Sequence, residues 1–490
     1  MWRRGSVLIV VLWALVVLGA GVFSVLHAAR LELRVAHNHG DRVQARYLAL
    51  AGVARAVAVI HEVREDRRVR TGDAESTLLA DNPGGFRDVE LGRGIYRIVR
   101  TVGPGEGAGR VVHALEDEER RLNVNVAAAR ELARILGLTE DVAAALVDWR
   151  DPDDELTPMG AEAAYYAALS PPYRIRNAPF ETLAELLQVR GVTPASLFGE
   201  DLNGNGILDP GEDDNGDGYL DRGWSALLTV ASAVRNDDTR GTVRVNVATA
   251  DAAALAGVDG LSTDLAQAIV EARRVRSLTS LVDLLEVRRV EKVERQDPTP
   301  ARRPAAPATP SRAPAAPPRA PDPAAPAAPP PPAAPAPAAP DGSPPADASG
   351  GGGAVQYREV GEPLISRELL SRVADGLTVR EPVLEGAVNI NTAPAEVLAC
   401  LDGMTEELAA AVVQHRQRHG AFTTIVELLD VPGFTTDVFR QVNPRIAVRS
   451  DTWRIVAEGE LPSSGAFQRV VAVLRVGNRQ PSTLYYREEP

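Results

Sequence analysis

Residues 201–212 read Asp-Leu-Asn-Gly-Asn-Gly-Ile-Leu-Asp-Pro-Gly-Glu. Asp201, Asn203 and Asn205 offer side-chain oxygens, and Gly206 permits a sharp turn. Ile207 offers its carbonyl, and Leu208 is an apolar anchor. Asp209 binds directly or through water, and Glu212 supplies two oxygens. Hard oxygen donors at this spacing are the chemistry of a calcium loop. The pattern restarts with Asp213, Asn215, Asp217, Gly218, Tyr219 and Asp221, but Trp224 occupies its twelfth position. A second ion would therefore need a ligand from elsewhere. Without an ion, the same residues make an acidic, solvated turn, and that alternative stays open. The loops abut with no helix between them, which argues against a paired sensor. Bound calcium would neutralise carboxylates that otherwise repel, and so would staple the loop.

A second acidic string, DWRDPDDELTPMGAEAAYY, spans 148–166. Asp151, Asp153, Asp154, Glu155 and Glu162 read as a structured polar turn, with an auxiliary ion or partner site as the alternative and a catalytic carboxylate pair as a remote one. Its Pro and Gly content makes it a loop, and no His accompanies it. The seven His elsewhere are scattered, and no HExxH, P-loop, GxGxxG or GxSxG occurs. The chain therefore does not read as an enzyme. Cys400 is the single cysteine, which excludes an intramolecular disulfide and a thiolate metal cluster. Cys400, Trp149, Tyr165, Tyr166 and Trp453 read as core.

These loops need a frame. Residues 7–26 carry no charge and cover roughly 30 Å as a helix, the thickness of a bilayer core. Arg3 and Arg4 precede them, so the positive-inside rule keeps the N-terminus cytoplasmic and puts the bulk of the chain across the membrane. A cleaved signal fits less well, because the apolar run is long for one. Leu31, Val35, Tyr47, Leu50, Ala54 and Val57 continue a helical stripe, so one helix is expected over about 5–62. Strand-like segments follow over 86–116, and TWRIVAEGEL and FQRVVAVLRV form an alternating pair near the far end. Neither set stands well alone, so together with the helix they predict one domain split by a long insertion.

Within the insertion a pattern repeats: LNVNVAAARELARILGL (122–138), VRVNVATADAAALAGVDGL (243–261) and VNINTAPAEVLACLDGM (388–404). Each runs from Asn through an Ala-rich helix to a Gly turn. Thr139, Ser262 and Thr405 then stand where a helix N-cap belongs. These are helix-hairpin-helix or SAM-like units. Such hairpins can grip a DNA phosphate through backbone amides. Here the turns LGLTED, DGLSTD and DGMTEE carry carboxylates, and the net charge is −13, so packing or docking is expected rather than nucleic acid. Residues 297–353 are dominated by Pro and Ala and end in a Gly run, a semi-rigid linker placed between the second and third repeats.

Arg3-Arg4-Gly5-Ser6 before an apolar helix that becomes amphipathic resembles a type IV pilin-like protein. That resemblance implies cleavage by a prepilin peptidase between Gly5 and Ser6, with methylation of the new N-terminus. The family usually has Glu where this chain has Val10. That carboxylate would bond the N-terminal amine of the subunit ahead. A tip subunit has none ahead, and a buried unpaired carboxylate is costly. The departure, the split domain, and the strings WRDPDDE…GAE…YY and NAPFETLAELLQVRGV are similar to minor pseudopilin K of type II secretion systems. The resemblance implies an α+β fold: a long transmembrane and stalk helix on a small antiparallel sheet, with a large, mainly helical insertion. The segments are then 1–5 leader, 6–62 helix, 63–121 first strands, 122–235 first repeat with calcium loops, 236–296 second repeat, 297–353 linker, 354–448 third repeat and 449–490 last strands. It further implies calcium, inner-membrane anchoring with a periplasmic body, and pseudopilins I and J as partners at the pseudopilus tip. The outer-membrane secretin and exported proteins are further contacts. Two rivals remain: an anchored DNA-uptake protein, since the third repeat also resembles the hairpin of competence-type DNA receptors, and an anchored calcium-dependent scaffold or adhesin.

Overall fold

A computed structural model describes residues 3–65, 78–101, 111–202, 211–216, 220–293, 356–477 and 480–489. The expectations for the Pro/Ala linker and for the centre of the calcium loop lie outside these residues. Helix α1 (Arg3–Glu65) is continuous through Gly40, because no proline interrupts it. Its first half leaves large apolar side chains exposed from Val7 to Val35. Its second half packs on an antiparallel sheet through Ala45, Leu48, Ala49, Ala56, Val59 and Ile60. The expected stripe is rotated: Tyr47 and Ala54 face outward. The reason is close approach. The sheet accepts small residues on the helix, and a large side chain at those positions would hold the backbones apart.

The sheet runs in the order β1 (Val89–Leu91), β2 (Gly94–Thr101), β3 (Thr452–Leu461), β4 (Ala466–Arg475) and β5 (Ser482–Glu489). Short strands Val111–Val112 and Glu116–Asp117 add to β2 and β3. Along β3 the period of two puts Trp453, Ile455 and Ala457 in the core and Arg454, Glu458 and Glu460 on the other face. Strand β5 was not expected, because STLYYREE is mostly exposed and shows little alternation of burial. The two halves of the sheet come from opposite ends of the insertion, as expected of a split domain.

Each repeat is closed by a short parallel pairing. Leu122–Asn123 pairs with Leu228–Thr229, Val245–Asn246 with Leu377–Thr378, and Val388–Asn389 with Ile446–Ala447. The Asn at each start turns the chain, its side-chain oxygen accepting the amide of Asn125, Ala248 or Asn391. Gly137, Gly260 and Gly403 then adopt left-handed φ between two helices. The second helices are α2 (Glu140–Arg150), α3 (Thr263–Ala272) and α4 (Glu406–His419). Ser262 and Thr405 cap theirs through the amides of Leu265 and Leu408, whereas the Thr139 hydroxyl turns to Asp141. Arg150, Arg273 and Arg416 stand at matching places and donate back to carbonyls of the first turn: Val124 and Ala127, Ala250, and Ile390.

The pairing corrects the placement of the linker. The second repeat closes with Leu377–Thr378, beyond residues 297–353. The Pro/Ala segment therefore interrupts the second repeat rather than joining it to the third. A separate unit, residues 290–360, includes a two-stranded pairing of Arg289–Val293 with Gln356–Val360. The calcium loops likewise interrupt the first repeat, between helix Pro194–Phe198 and its closing strand Leu228–Thr229. All three repeats share one hydrophobic core, from Leu122 through Ile269 to Val448.

In the third repeat, Asn391 ties three segments. Its amide nitrogen donates to the carbonyls of Phe422 at 2.9 Å and Val448 at 2.8 Å, and its oxygen accepts the Phe422 amide at 2.8 Å. Asn125 makes the same set with Phe180 and Val230. Asn391→Ala is expected to lose about 3 kcal/mol by urea unfolding, roughly 1 kcal/mol per bond. A loss below about 1 kcal/mol would show that this amide is not the tie.

Candidate metal centre

Asp148 and Asp151 are one helical turn apart at the end of α2, so their carboxylates share a face. Asp148 is fully buried, and Asp151 is the C-cap residue, its amide bonded to the Val147 carbonyl at 3.1 Å. The chain then loops out and returns at 157–162. Asp148 Oδ1 accepts the Thr157 amide at 3.3 Å, and the Gly160 amide turns back to the Thr157 carbonyl at 2.8 Å. Gly160 lies so close that a Cβ there would sit 2.0 Å from Asp148 Oδ2. Glu162, 6% exposed, is the N-cap of helix Ala163–Ala167, and its Oε2 accepts the Ala163 amide at 3.2 Å.

The three carboxylates present ligand atoms that all lie within 4.8 Å of one another. Asp148 Oδ2, Asp151 Oδ1 and Glu162 Oε1 are buried without a hydrogen-bond partner. Among the described residues no cation pairs with any of the three at salt-bridge distance. Arg150, the nearest in sequence, spends its guanidinium on the carbonyls of Val124 and Ala127. Burial, then the charges of Asp153 and Asp148, push the Asp151 carboxyl above the usual range. Burial, with Asp148 and Asp151 nearby, does the same to Glu162.

Of the residues singled out in this string, the structure brings together Asp151 and Glu162, with Asp148. Asp153, Asp154 and Glu155 are exposed on the outer loop. Asp153 Oδ1 accepts the Glu155 amide at 2.8 Å, and Asn177 holds the Asp153 carbonyl and the Asp154 carboxylate, both at 2.9 Å. Asp148 was missed although its i, i+3 relation to Asp151 was legible; its burial was not. Behind the centre, Trp149 meets Tyr166 edge to face at 5.1 Å and stacks on Phe180 at 6.4 Å. Tyr166 and Trp149 are core, as expected, and so is Trp453. Tyr165 is not: it is 39% exposed, with the Arg190 guanidinium 5.4 Å from its ring centre. Cys400 is buried, and burial pushes its thiol up to about 12, so it is inert packing.

The calcium-loop string leaves and re-enters the fold through a closed neck. Gly199 bridges Arg222, and the Glu200 amide donates to the Asp221 carbonyl at 2.9 Å. Gly199 has φ +66°, and a Cβ there would lie 2.2 Å from the Asp221 carbonyl oxygen, so only glycine fits. The buried Glu200 carboxylate accepts the amides of Asp214 at 3.0 Å and Asp221 at 2.8 Å, pinning the second loop from below. Nothing in the spacing of the loop pointed to Glu200. Asp213 Oδ1 accepts the Gly216 backbone amide at 2.6 Å, and the Asn215 side-chain Nδ2 donates to Asp221 Oδ2 at 3.1 Å. Asp201 and Glu212 are half-buried. Asn203, Asn205, Ile207, Asp209, Asp217 and Tyr219 lie outside the described residues. In both acidic regions the donors are oxygens alone, the set that suits a hard cation.

Residues 111–198, which include the acidic centre, match the family model described as Type II secretion system (T2SS), protein K. Residues 241–294 and 383–447 match the model of the helix-hairpin-helix motif. No curated protein sequence matches the chain. Among solved structures, the chain is similar to one from the GspK-GspI-GspJ complex of the enterotoxigenic Escherichia coli Type 2 Secretion System, at 11% identity and a TM-score of 0.41, covering 93% of this chain and 99% of that chain.

Proposed function

We propose that this chain, whose residues 111–198 match type II secretion system protein K, works as a minor pseudopilin at the tip of a pseudopilus, where it starts or caps assembly and supports export of folded proteins. The observation that carries the reading is the division of α1. Its first half is apolar and exposed, long enough to cross a membrane once, and its second half packs on an antiparallel sheet. An anchor continuous with a folded body is what a fibre subunit drawn from a membrane needs. The connection between the first strands and β3 is replaced by the three-repeat insertion, whose bulk suits an end of a fibre rather than its middle. Val10 agrees, since no carboxylate is presented to a subunit ahead.

In this reading α1 lies in the inner membrane with a cytoplasmic N-terminus and a periplasmic body, and prepilin peptidase cuts between Gly5 and Ser6. The role is structural rather than catalytic. Pseudopilins I and J are the proposed partners, those named with protein K in the Escherichia coli complex. The helix-hairpin-helix match does not favour DNA, because Glu406 and Glu407 open α4 and Asp264 stands in the first turn of α3, where a phosphate would approach. The test is expression with prepilin peptidase and with pseudopilins I and J. A chain beginning at Ser6 that co-purifies with both is expected. An intact Met1 together with no association would sink the proposal.

A further inference from the structure

We propose that a small cavity, where the second and third repeats meet the strand Ala233–Arg235, binds one monatomic anion of the chloride class through Arg380, Arg449, Thr378 and Thr424. The site involves neither acidic region and does not depend on the secretion reading.

The cavity measures about 20 Å³, room for one water-sized occupant. Arg235, Arg244, Arg380 and Arg449 line it, and among the described residues no carboxylate does. Arg235 pairs with Asp237 at 3.1 Å and Arg244 with Asp375 at 3.1 Å. Among the described residues, Arg380 and Arg449 form no ion pair. They rest on backbone carbonyls instead. Arg380 Nη1 donates to the carbonyls of Asn443 at 2.7 Å and Ile446 at 2.8 Å, which leaves its Nε and Nη2 as uncommitted donors. Arg449 donates to the carbonyls of Asp238 at 2.9 Å, Arg235 at 3.0 Å and Asp237. Carbonyls offer partial charge only, so both cations stay unbalanced. Burial, then the Arg244 charge, pushes Arg380 down to about 9. The same two causes lower Arg449, against a weaker pull from Asp451 and Asp237. A guanidinium keeps its proton in a protein, so relief has to come from a negative charge.

The neutral groups of the lining are donors to such a charge. Thr378 Oγ1 already accepts Asn236 Nδ2 at 2.7 Å and the Arg380 amide at 3.0 Å, so its own proton is left to donate. Thr424 is 6% exposed, and its hydroxyl oxygen is buried with no hydrogen-bond partner. The side-chain oxygen of Asn443 is also unpartnered, and turning that amide presents its nitrogen. A water molecule would satisfy the hydroxyls but leave the arginines unbalanced. Sulfate or phosphate is too large for the space. Chloride meets both demands.

The probes are sodium chloride and sodium gluconate at equal ionic strength, used on the full chain in detergent. Melting temperature is expected to rise with chloride along a single-site curve at constant total salt. Arg380→Gln should abolish the rise, but it also releases two carbonyls, so Thr424→Val, which keeps the shape, carries the test. In gluconate it should melt no lower than the parent, since its hydroxyl then has no partner to lose. The chloride concentration for half the effect should increase at least about tenfold, as befits a lost bond to a charged group. Ser280 is the control: its hydroxyl is also buried without a partner, but it does not line the cavity. Ser280→Ala should keep the parent's chloride curve. Equal melting of the parent in chloride and gluconate would overturn the site. So would a Thr424→Val curve that matches the parent's, or a Thr424→Val chain that is already weaker in gluconate, since the hydroxyl would then serve the fold without an anion.

Discussion

Gly459→Ala is expected to detach α1 from the sheet, although a glycine-to-alanine change in a strand is ordinarily mild. A Cβ at Gly459 would sit 2.1 Å from the Ala45 carbonyl oxygen, 2.6 Å from the Ala49 nitrogen and 2.9 Å from Leu48 Cβ. The obstacle is helix backbone, which cannot rotate away as a flexible side chain would. Either the helix shifts off the sheet or the strand bends, and both open the core of Ala56, Ile60, Ile455 and Ala457. Overpacking costs about 1–3 kcal/mol in a yielding core and more where backbones touch, so a loss of at least about 3 kcal/mol is expected by urea unfolding. Gly94, on the neighbouring strand β2, is also crowded, with Leu48 Cδ1 at 2.4 Å and the Glu460 carbonyl oxygen at 2.6 Å from a built Cβ. Gly40→Ala is the control. Nothing lies within 4 Å of a Cβ there, and alanine favours the helix, so a gain of up to ~1 kcal/mol is expected. Equal behaviour of the two variants would refute the close crossing.

The second large effect belongs to Glu119, where the insertion is latched to the sheet. Its buried carboxyl accepts the amides of Ala233 at 3.1 Å and Thr452 at 3.0 Å, and its carbonyl accepts the Asn389 amide at 2.8 Å. One residue thus holds the first repeat, the third repeat and β3. Glu119→Ala strands two buried amides, at roughly 1–3 kcal/mol each, so a loss of about 3 kcal/mol is expected. Glu119→Gln keeps an oxygen at the Oε1 place, which accepts the Ala233 amide at 3.1 Å and the Thr452 amide at 3.2 Å, and should cost less than the alanine change.

The same carboxyl makes the latch sensitive to pH. Burial, followed by the neighbouring Asp117 charge, raises Glu119 well above the usual carboxylate range. A raised folded-state value means that the folded chain holds the proton more tightly than the unfolded chain. Its stabilisation is therefore complete below the unfolded value of about 4.3 and is lost as pH climbs through the raised one. Glu116, a few residues away, behaves oppositely. Burial alone would raise it, but Arg121 and Arg454 outweigh that and hold it at about 2. Its contribution is present above pH ~4.5 and is lost as pH falls towards 2. Melting temperature against pH should fall on both sides, and Glu119→Gln should shrink the alkaline fall and leave the acid one, the remainder belonging to Asp117, which burial also raises. An unchanged alkaline limb in that variant would mean that Glu119 is not the titrating group.

Local features were legible because they depend on near neighbours. The apolar, proline-free run sets α1, since each turn needs only its own residues to satisfy its backbone. Asn, Gly and Ser or Thr at matching places set the turns of the three repeats. The alternation in TWRIVAEGEL sets β3. The acidic strings announced candidate ion chemistry, because ligand spacing within one loop is a local property.

What the sequence could not reveal depends on which surfaces meet. Which face of the second half of α1 turns inward depends on the sheet it meets: Gly459 leaves room for the helix backbone at Ala45 and Ala49, and Gly94 leaves room for Leu48. The second repeat looks finished before the Pro/Ala segment until Leu377–Thr378 returns to pair with Val245–Asn246. Asp148 reads as an ordinary helix carboxylate until the loop brings Glu162 over it, and Glu119 and Glu200 read as surface charges until distant amides reach them. Periodicity is a property of one segment and is written in its residues. Burial and partnership are properties of two segments, and only their packing assigns them.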